Sequence, residues 1–69
     1  MNTFGTNLKR LRTERNASQA DVAQATGVWQ SMISAIENGE RTPSLELAFK
    51  IADYFDVTVD FLHRERVNA

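Results

Sequence analysis

Few side chains in this sequence have the types and spacing that catalysis or metal binding would need. The single histidine, His63, lies near the C-terminus with nothing to orient it. Three hydroxyl groups have no base partner in sight: Ser18, Ser31 and Ser34. Three aspartates could form a metal cluster, but they are better explained as turn, cap and solvated helix residues: Asp53, Asp56 and Asp60. We therefore expect no enzyme, no metal and no cofactor.

A different chemistry, hydrogen bonding to base edges, is possible for a polar group at the start of one short segment. Gln30, Ser31 and Ser34 share that segment with Ile33 and Ile36, which fall on the opposite side at helical spacing. A helix with an apolar back and a polar N-terminal front can be held against a protein core while it enters the major groove of DNA. The sequence therefore indicates a candidate DNA-reading helix at about residues 29–37.

The residues before this helix favour a helix-turn-helix. Ser18 predicts the cap of a helix over residues 19–25, and Ala23 gives the small side chain that close helix approach needs. Gly27 suits a left-handed residue in the turn at 26–28, and Val28 can fill the crossing. Two short helices joined by a glycine-containing turn are typical of this motif.

Three further helices must position the motif. Apolar spacing predicts a first helix over residues 3–15, a fourth over 45–55 capped by Ser44, and a short fifth that Thr58 caps and that ends near 62 or 63. The predicted inward residues are Phe4, Leu8 and Leu11 in the first helix, and Leu45, Ala48, Ile51, Ala52 and Phe55 in the fourth. We therefore expect an all-α fold in one domain over residues 1–69, with a core at about 4–62 and a frayed tail at 64–69.

Composition agrees with a small globular domain. The chain has 69 residues, no cysteine and 42% hydrophobic residues, with no apolar run as long as a membrane span. Without a signal-like N-terminus, we expect a cytoplasmic protein with no membrane partner. The net charge of −1 is not that of a basic nucleic-acid binder, but positive charge is concentrated near the N-terminus, at Lys9, Arg10, Arg12 and Arg15.

The stretch SQADVAQATGVWQSMISAIENGERTPS resembles the Cro/CI-type helix-turn-helix family, which is also described as lambda-repressor-like or XRE-type. The flanking stretches LKRLRTERNAS and PSLELAFKIADYFDVTVDFL are similar to the first and the last two helices of that family. The resemblance covers roughly residues 4–62. It implies a compact five-helix DNA-binding domain whose third helix enters the major groove.

The resemblance also implies roles for individual residues. Gln30 would bind an adenine edge and Ser31 a guanine acceptor, and Gln19 would touch a phosphate or hydrogen-bond Gln30. Arg12 would pair with Glu37. The full expected set of base-reading residues is Gln30, Ser31, Ser34 and Trp29, and the expected phosphate contacts are Gln19, Arg10, Asn38, Arg41 and Ser18.

Several positions depart from the family pattern, among them Ala17, which replaces a larger apolar residue before the second helix. Trp29 stands where the family prefers a capping Ser or Thr, so its ring either contacts DNA or packs over the turn. Asp56 replaces the usual Gly before the last helix, and Glu40 weakens the basic loop. These changes make the target sequence and the affinity harder to predict than the fold.

Apolar residues beyond the core suggest a second interface. Val59 and Phe61 either form the centre of a homodimer or are buried between the last two helices. The sequence predicts a transcriptional regulator, more specifically a repressor that binds a palindromic operator as a homodimer. We expect it to be associated with the nucleoid and to be of bacterial or phage origin. No small-molecule ligand is expected. The alternative is a protein-interaction module, such as the antitoxin of a toxin–antitoxin pair.

Overall fold

Five α-helices make up the part of the chain that the computed structural model describes, residues 3–65. They are α1 (Thr3–Glu14), α2 (Gln19–Thr26), α3 (Gln30–Glu37), α4 (Leu45–Phe55) and α5 (Val59–His63). This confirms the predicted all-α architecture, and the helix bounds differ from the predicted ones by about one residue. The longest of these helices, α1, has 12 residues, so none of the helices within residues 3–65 could span a membrane.

The ends of α2 show why the chain turns where it does. The Ser18 hydroxyl accepts a hydrogen bond from the backbone N–H of Asp21 at 2.9 Å, and the Asp21 carboxylate accepts one from the Ser18 N–H at 2.9 Å. This capping box satisfies two of the free N–H groups at the helix start. At the other end, Gly27 adopts φ 77°, and its N–H donates to the carbonyl of Ala23 at 2.9 Å. Thr26 extends α2 one residue beyond the predicted end, and its hydroxyl donates to the Val22 carbonyl at 2.8 Å.

All five helices contribute to one hydrophobic core. The first helix contributes the predicted stripe, and α2 packs against both α3 and α4. Val28 lies partly buried against this core, which is the place expected for it in the turn. The buried apolar residues are Phe4, Leu8, Leu11, Val22, Ala23, Ile33, Ile36, Leu47, Ala48, Ile51, Ala52, Phe55 and Leu62.

The prediction that Leu45 of α4 belongs to the core is wrong. Leu45 is 70% exposed, whereas Leu47, which was not placed in the core stripe, is buried. Leu47, Ile51 and Phe55 are four residues apart, so they follow one line along the helix into the core. Leu45 is the first residue of α4 and lies at the edge of that stripe, where no neighbouring helix covers it.

The junction of α1 with α5 depends on a buried polar side chain that the sequence reasoning missed. Asn7 donates from Nδ2 to the carbonyls of Leu62 at 2.9 Å and Arg64 at 2.8 Å. These bonds satisfy carbonyl groups at the end of α5 that have no partner within the helix. The carbonyl of Arg64, the first residue of the expected frayed tail, is hydrogen-bonded to α1, and residues 66–69 of that tail lie outside the described residues.

A left-handed residue ends α4. Asp56 adopts φ 56° and ψ 45°, the conformation for which the family prefers glycine, and its N–H donates to the carbonyls of Ala52 and Asp53. Arg15 supports the same helix end because its Nη1 donates to the Phe55 carbonyl at 3.0 Å. A cation is favourable there, since the C-terminal end of a helix has partial negative charge.

Candidate nucleic-acid interface

The third helix has a buried back and an accessible front. Ile33 and Ile36 have no exposed surface and fix the helix on the core. Gln30 and Ser31, at its N-terminal end, are exposed, and Ser34 one turn later is half-buried. Of the predicted base readers on this helix, Gln30 and Ser31 are therefore the most accessible to a groove.

The indole of Trp29 projects into solvent directly before this helix. Trp29 is 84% exposed, and its backbone is extended in the N-cap position of α3, with no side-chain hydrogen bond to cap the helix. The alternative in which the ring is partly buried over the turn is therefore wrong, since most of this side chain is exposed, and Val28 is the residue that packs against the core there. The exposed ring is available to a ligand at the front of α3.

Gln19 forms a different contact from one that the resemblance suggested. Its Nε2 donates to Oε1 of Glu37 at 3.0 Å, so in this structure the side chain is directed to the end of α3 and not to Gln30. Gln19 is the first residue of α2 and is half-buried, and the neighbouring Ser18 is exposed. The N-terminal end of α2 thus presents both predicted phosphate contacts of this helix.

Two further predicted phosphate contacts follow α3. Asn38 ends the helix in a right-handed conformation with φ −85°, and Gly39 then adopts φ 80°. Backbone N–H groups of Glu40 and Arg41 donate to the Ala35 carbonyl at 2.8 and 3.3 Å, which holds this loop against the helix end. Asn38 and Arg41 have exposed side chains on this fixed loop.

Arg10 is placed beside the α1–α5 junction. Its Nη1 donates to Oδ1 of Asn7 at 3.0 Å, and the side chain is half-buried. Arg10 also lines a cavity of about 330 Å³, together with Leu11 and Phe61. Arg10 therefore lies beside the candidate dimer surface, and its phosphate contact stays a prediction.

Arg12 and Glu37 join the first and third helices. Arg12 donates from Nε to Oε2 of Glu37 at 2.7 Å and from Nη2 to Oε1 at 3.1 Å, and its Nη1 donates to the Ala17 carbonyl at 3.0 Å. The side chains are 17% and 2% exposed. The hydrogen bond with Glu37 raises the pKa of Arg12, partial burial opposes this rise, and the attraction between the charges adds to it.

The two candidate dimer residues lie on different sides of α5. Residues two apart in a helix do not face the same way. Val59 packs partly against the core, whereas Phe61 is 46% exposed. Phe61 is therefore the main exposed apolar side chain of this short helix.

Asn7 is the structural residue that sequence reasoning overlooked. Its position between Phe4 and Leu11, at spacings of three and four residues, puts it on the buried side of α1. A polar residue within this apolar stripe was the feature of the sequence from which its burial could have been predicted.

The described residues offer no metal site. Within residues 3–65, no group of three His, Cys, Asp or Glu side chains is arranged to hold a metal.

Comparison with known proteins agrees with this geometry. The profile of the Helix-turn-helix family matches residues 8–62. An uncharacterized HTH-type transcriptional regulator of Methanocaldococcus jannaschii is 47% identical over 53 residues, which are 77% of this chain and 80% of that protein.

Two solved structures also superimpose closely. The N-terminal DNA-binding domain of SinR from Bacillus subtilis is 29% identical, with a TM-score of 0.87 and coverage of 99% of this chain and 100% of that one. SinR in complex with DNA is 31% identical, with a TM-score of 0.82 and coverage of 88% and 98%. The chain belongs to the XRE-type helix-turn-helix family of DNA-binding transcriptional regulators.

Proposed function

We propose that this regulator reads a specific DNA sequence by inserting α3 into the major groove. The observation that carries the proposal is the division of α3 into a buried back and an exposed front that begins with Gln30 and Ser31. A carboxamide can bond an adenine edge in two places, and a hydroxyl can donate to a guanine acceptor. Ser34 adds a half-buried hydroxyl, and Trp29 adds an exposed ring that can contact a thymine methyl group.

Phosphate contacts would set the orientation of α3 in the groove. Gln19 and Ser18 stand at the start of α2, and Asn38 and Arg41 on the loop after α3, so polar groups occur at both ends of the motif. Arg10 is the fifth candidate. Because Arg41 and Arg10 are the charged members of this set, one copy makes few ionic contacts and should bind DNA weakly at physiological salt.

A homodimer on a palindromic operator would compensate for this weak binding. Two copies on one duplex bind with a higher effective affinity without any new contact. The exposed ring of Phe61, beside the cavity that Arg10 and Leu11 also line, is the apolar surface that supports a two-fold contact. Val59, the other candidate dimer residue, packs partly against the core and contributes less to such a surface. Occupation of promoter DNA by such a dimer would exclude polymerase, and the regulator would then act as a repressor in the cytoplasm, at the nucleoid.

Selection from random DNA duplexes tests the proposal. We expect an enriched palindrome whose half-sites are centred about 34–36 Å apart, or one helical turn. Binding to this operator should weaken steeply as salt rises, and it should exceed binding to a scrambled duplex by at least 10³-fold or so. Recovery of no preferred sequence, with equal affinity for scrambled DNA, would exclude specific readout by α3 and favour a protein partner.

A further inference from the structure

The carboxylate of Glu37 receives hydrogen bonds from two other helices. Arg12 of α1 donates to both of its oxygens, at 2.7 and 3.1 Å. Gln19, the first residue of α2, donates to the same Oε1 at 3.0 Å. Glu37 is the last residue of α3, and its side chain is 2% exposed. One buried carboxylate thus connects the first residue of α2 to the helix that carries the candidate base readers.

The chemistry of the carboxylate fixes the orientation of the Gln19 amide. An ionised carboxylate only accepts hydrogen bonds, so the amide nitrogen, and not the amide oxygen, must face Glu37. This nitrogen carries two hydrogens, and the second can be donated to a phosphate oxygen. The carboxylate itself is held by the planar fork of Arg12, whose Nη1 is in turn bonded to the Ala17 carbonyl at 3.0 Å.

We propose that Glu37 is a positioning residue for DNA binding, which holds Gln19 ready for a phosphate, and that Arg12 acts by orienting Glu37. This inference rests on the phosphate contact of Gln19 in the proposed function. A flexible side chain that is already ordered loses less conformational entropy when it binds. The benefit of ordering one such side chain is roughly 2- to 10-fold in affinity.

A double-mutant cycle on the selected operator tests the inference. The double variant Arg12→Met/Glu37→Met removes the acceptor of Gln19 without changing the net charge, and it replaces the pair with apolar groups of similar length that such a site can tolerate. We expect it to lower affinity by roughly 2- to 10-fold with an unchanged salt dependence. In the background of Gln19→Met, the same replacement should have almost no effect, because Gln19 is no longer there to be positioned.

A matched control removes an ion pair that does not touch Gln19. Glu46 and Lys50 form an exposed pair on α4 at 3.7 Å, and Glu46→Gln/Lys50→Gln is also neutral in net charge. This variant should bind the operator with the affinity of the parent protein.

Two outcomes would overturn the inference. If Arg12→Met/Glu37→Met loses equal affinity with and without Gln19, the Arg12–Glu37 pair has only a structural role. If Gln19→Met binds as tightly as the parent, the inference fails while specific DNA binding stands.

A second variant and a spectrum cover the case in which the Met replacement unfolds. Glu37→Asp keeps a charge opposite Arg12 but withdraws the carboxylate from Gln19 by one methylene group. It should also lower DNA affinity, and this loss should disappear in the background of Gln19→Met. In the free protein, the Gln19 amide proton that is donated to Glu37 should lie further downfield and exchange more slowly than the side-chain amide protons of an exposed glutamine, and both effects should shrink in Glu37→Asp. Side-chain amide signals of Gln19 that are the same in both proteins would contradict the inference.

Discussion

At the scale of single residues, the pair of Arg12 and Glu37 has the largest expected effect on stability. Glu37→Gln removes one charge and leaves the guanidinium of Arg12 partly buried without its counter-charge, which costs about 3–5 kcal/mol when a pair is buried. That is a large part of the roughly 3–10 kcal/mol expected for a chain of this length. We expect urea unfolding at neutral pH to show this loss.

An exposed carboxylate provides the comparison for this stability measurement. Glu46 is 3.7 Å from Lys50, and both side chains are more than half exposed. Glu46→Gln should therefore change stability by about 0.5 kcal/mol or less. Similar losses for the two variants would mean that burial of Glu37 does not strengthen its ion pair.

The Arg12–Glu37 pair also makes stability depend on pH in one direction. Because the pKa of Arg12 is raised in the folded protein, the stabilising contribution of Arg12 is fully present below the pKa that Arg12 has in the unfolded chain. This contribution is lost only as the pH rises through the pKa of the folded state.

Gln30 should control the choice of one base pair. Gln30→Ala should lose about 1–3 kcal/mol of discrimination at a single operator position, since a bidentate contact to one base is removed. Gln24 is an exposed glutamine of α2 that lines a surface hollow beside Lys50 of α4, so Gln24→Ala is a matched control. Titration against all single-base variants of the operator measures both. A uniform loss over every variant would remove Gln30 from the base readers.

At the scale of helices, spacing and caps predicted most of the architecture. The caps at Ser18, Ser44 and Thr58 are short-range hydrogen bonds, so local sequence determines them. Errors occurred where contacts between helices decide the outcome. Leu45 and Leu47 are both leucines near one helix start, and only the packing of α4 on its neighbours separates them. Asn7 is a second case, because the carbonyls that accept its hydrogen bonds belong to residues far away in the sequence, Leu62 and Arg64.

Less of the candidate site than of the fold was predictable from the sequence. The exposed polar positions of α3 were predictable from the helical spacing of its apolar residues, because the buried isoleucines determine which side of the helix faces outward. The direction of the Gln19 side chain did not follow, since both Gln30 and Glu37 can accept its amide hydrogens, and the choice depends on where Arg12 holds the carboxylate. A carboxylate is the stronger acceptor, and hydrogen bonds to it are shorter and stronger than those to a neutral amide.

The missing cap of α3 leads to a prediction about Trp29. Trp29→Ser places a hydroxyl where the N-cap now has no side-chain hydrogen bond, and it should stabilise the protein by about 1 kcal/mol. Trp29→Ala removes the ring equally but supplies no cap, so it should not give this gain. Thermal unfolding of the two variants measures the difference, and equal melting temperatures would mean that α3 does not benefit from a cap there.

At the scale of the whole molecule, charge and size both favour a two-copy complex. The net charge of −1 gives the chain little overall attraction to the phosphate backbone, so one copy gains little affinity that is independent of sequence. The described residues extend over 34 × 23 × 19 Å. The longest dimension is close to one helical turn of DNA, about 34–36 Å. If the proposed two-fold contact aligns this dimension with the duplex, the third helices of two copies enter successive major grooves on one face of the DNA.

The proposed homodimer leads to a prediction that separates core from interface. Phe61→Asp introduces a charge on the exposed side of α5, where the ring is 46% exposed, so the helical fold should persist while an apolar two-fold contact is lost. Sedimentation and circular dichroism on the same sample should show a folded monomer. Phe49 is 53% exposed on α4 and serves as the control, because Phe49→Asp should leave the dimer intact. A folded Phe61→Asp dimer would place the interface elsewhere, and an unfolded variant would assign Phe61 to the core. If only Phe61→Asp dissociates the dimer, the loss comes from that side of α5 and not from a charge on any exposed ring.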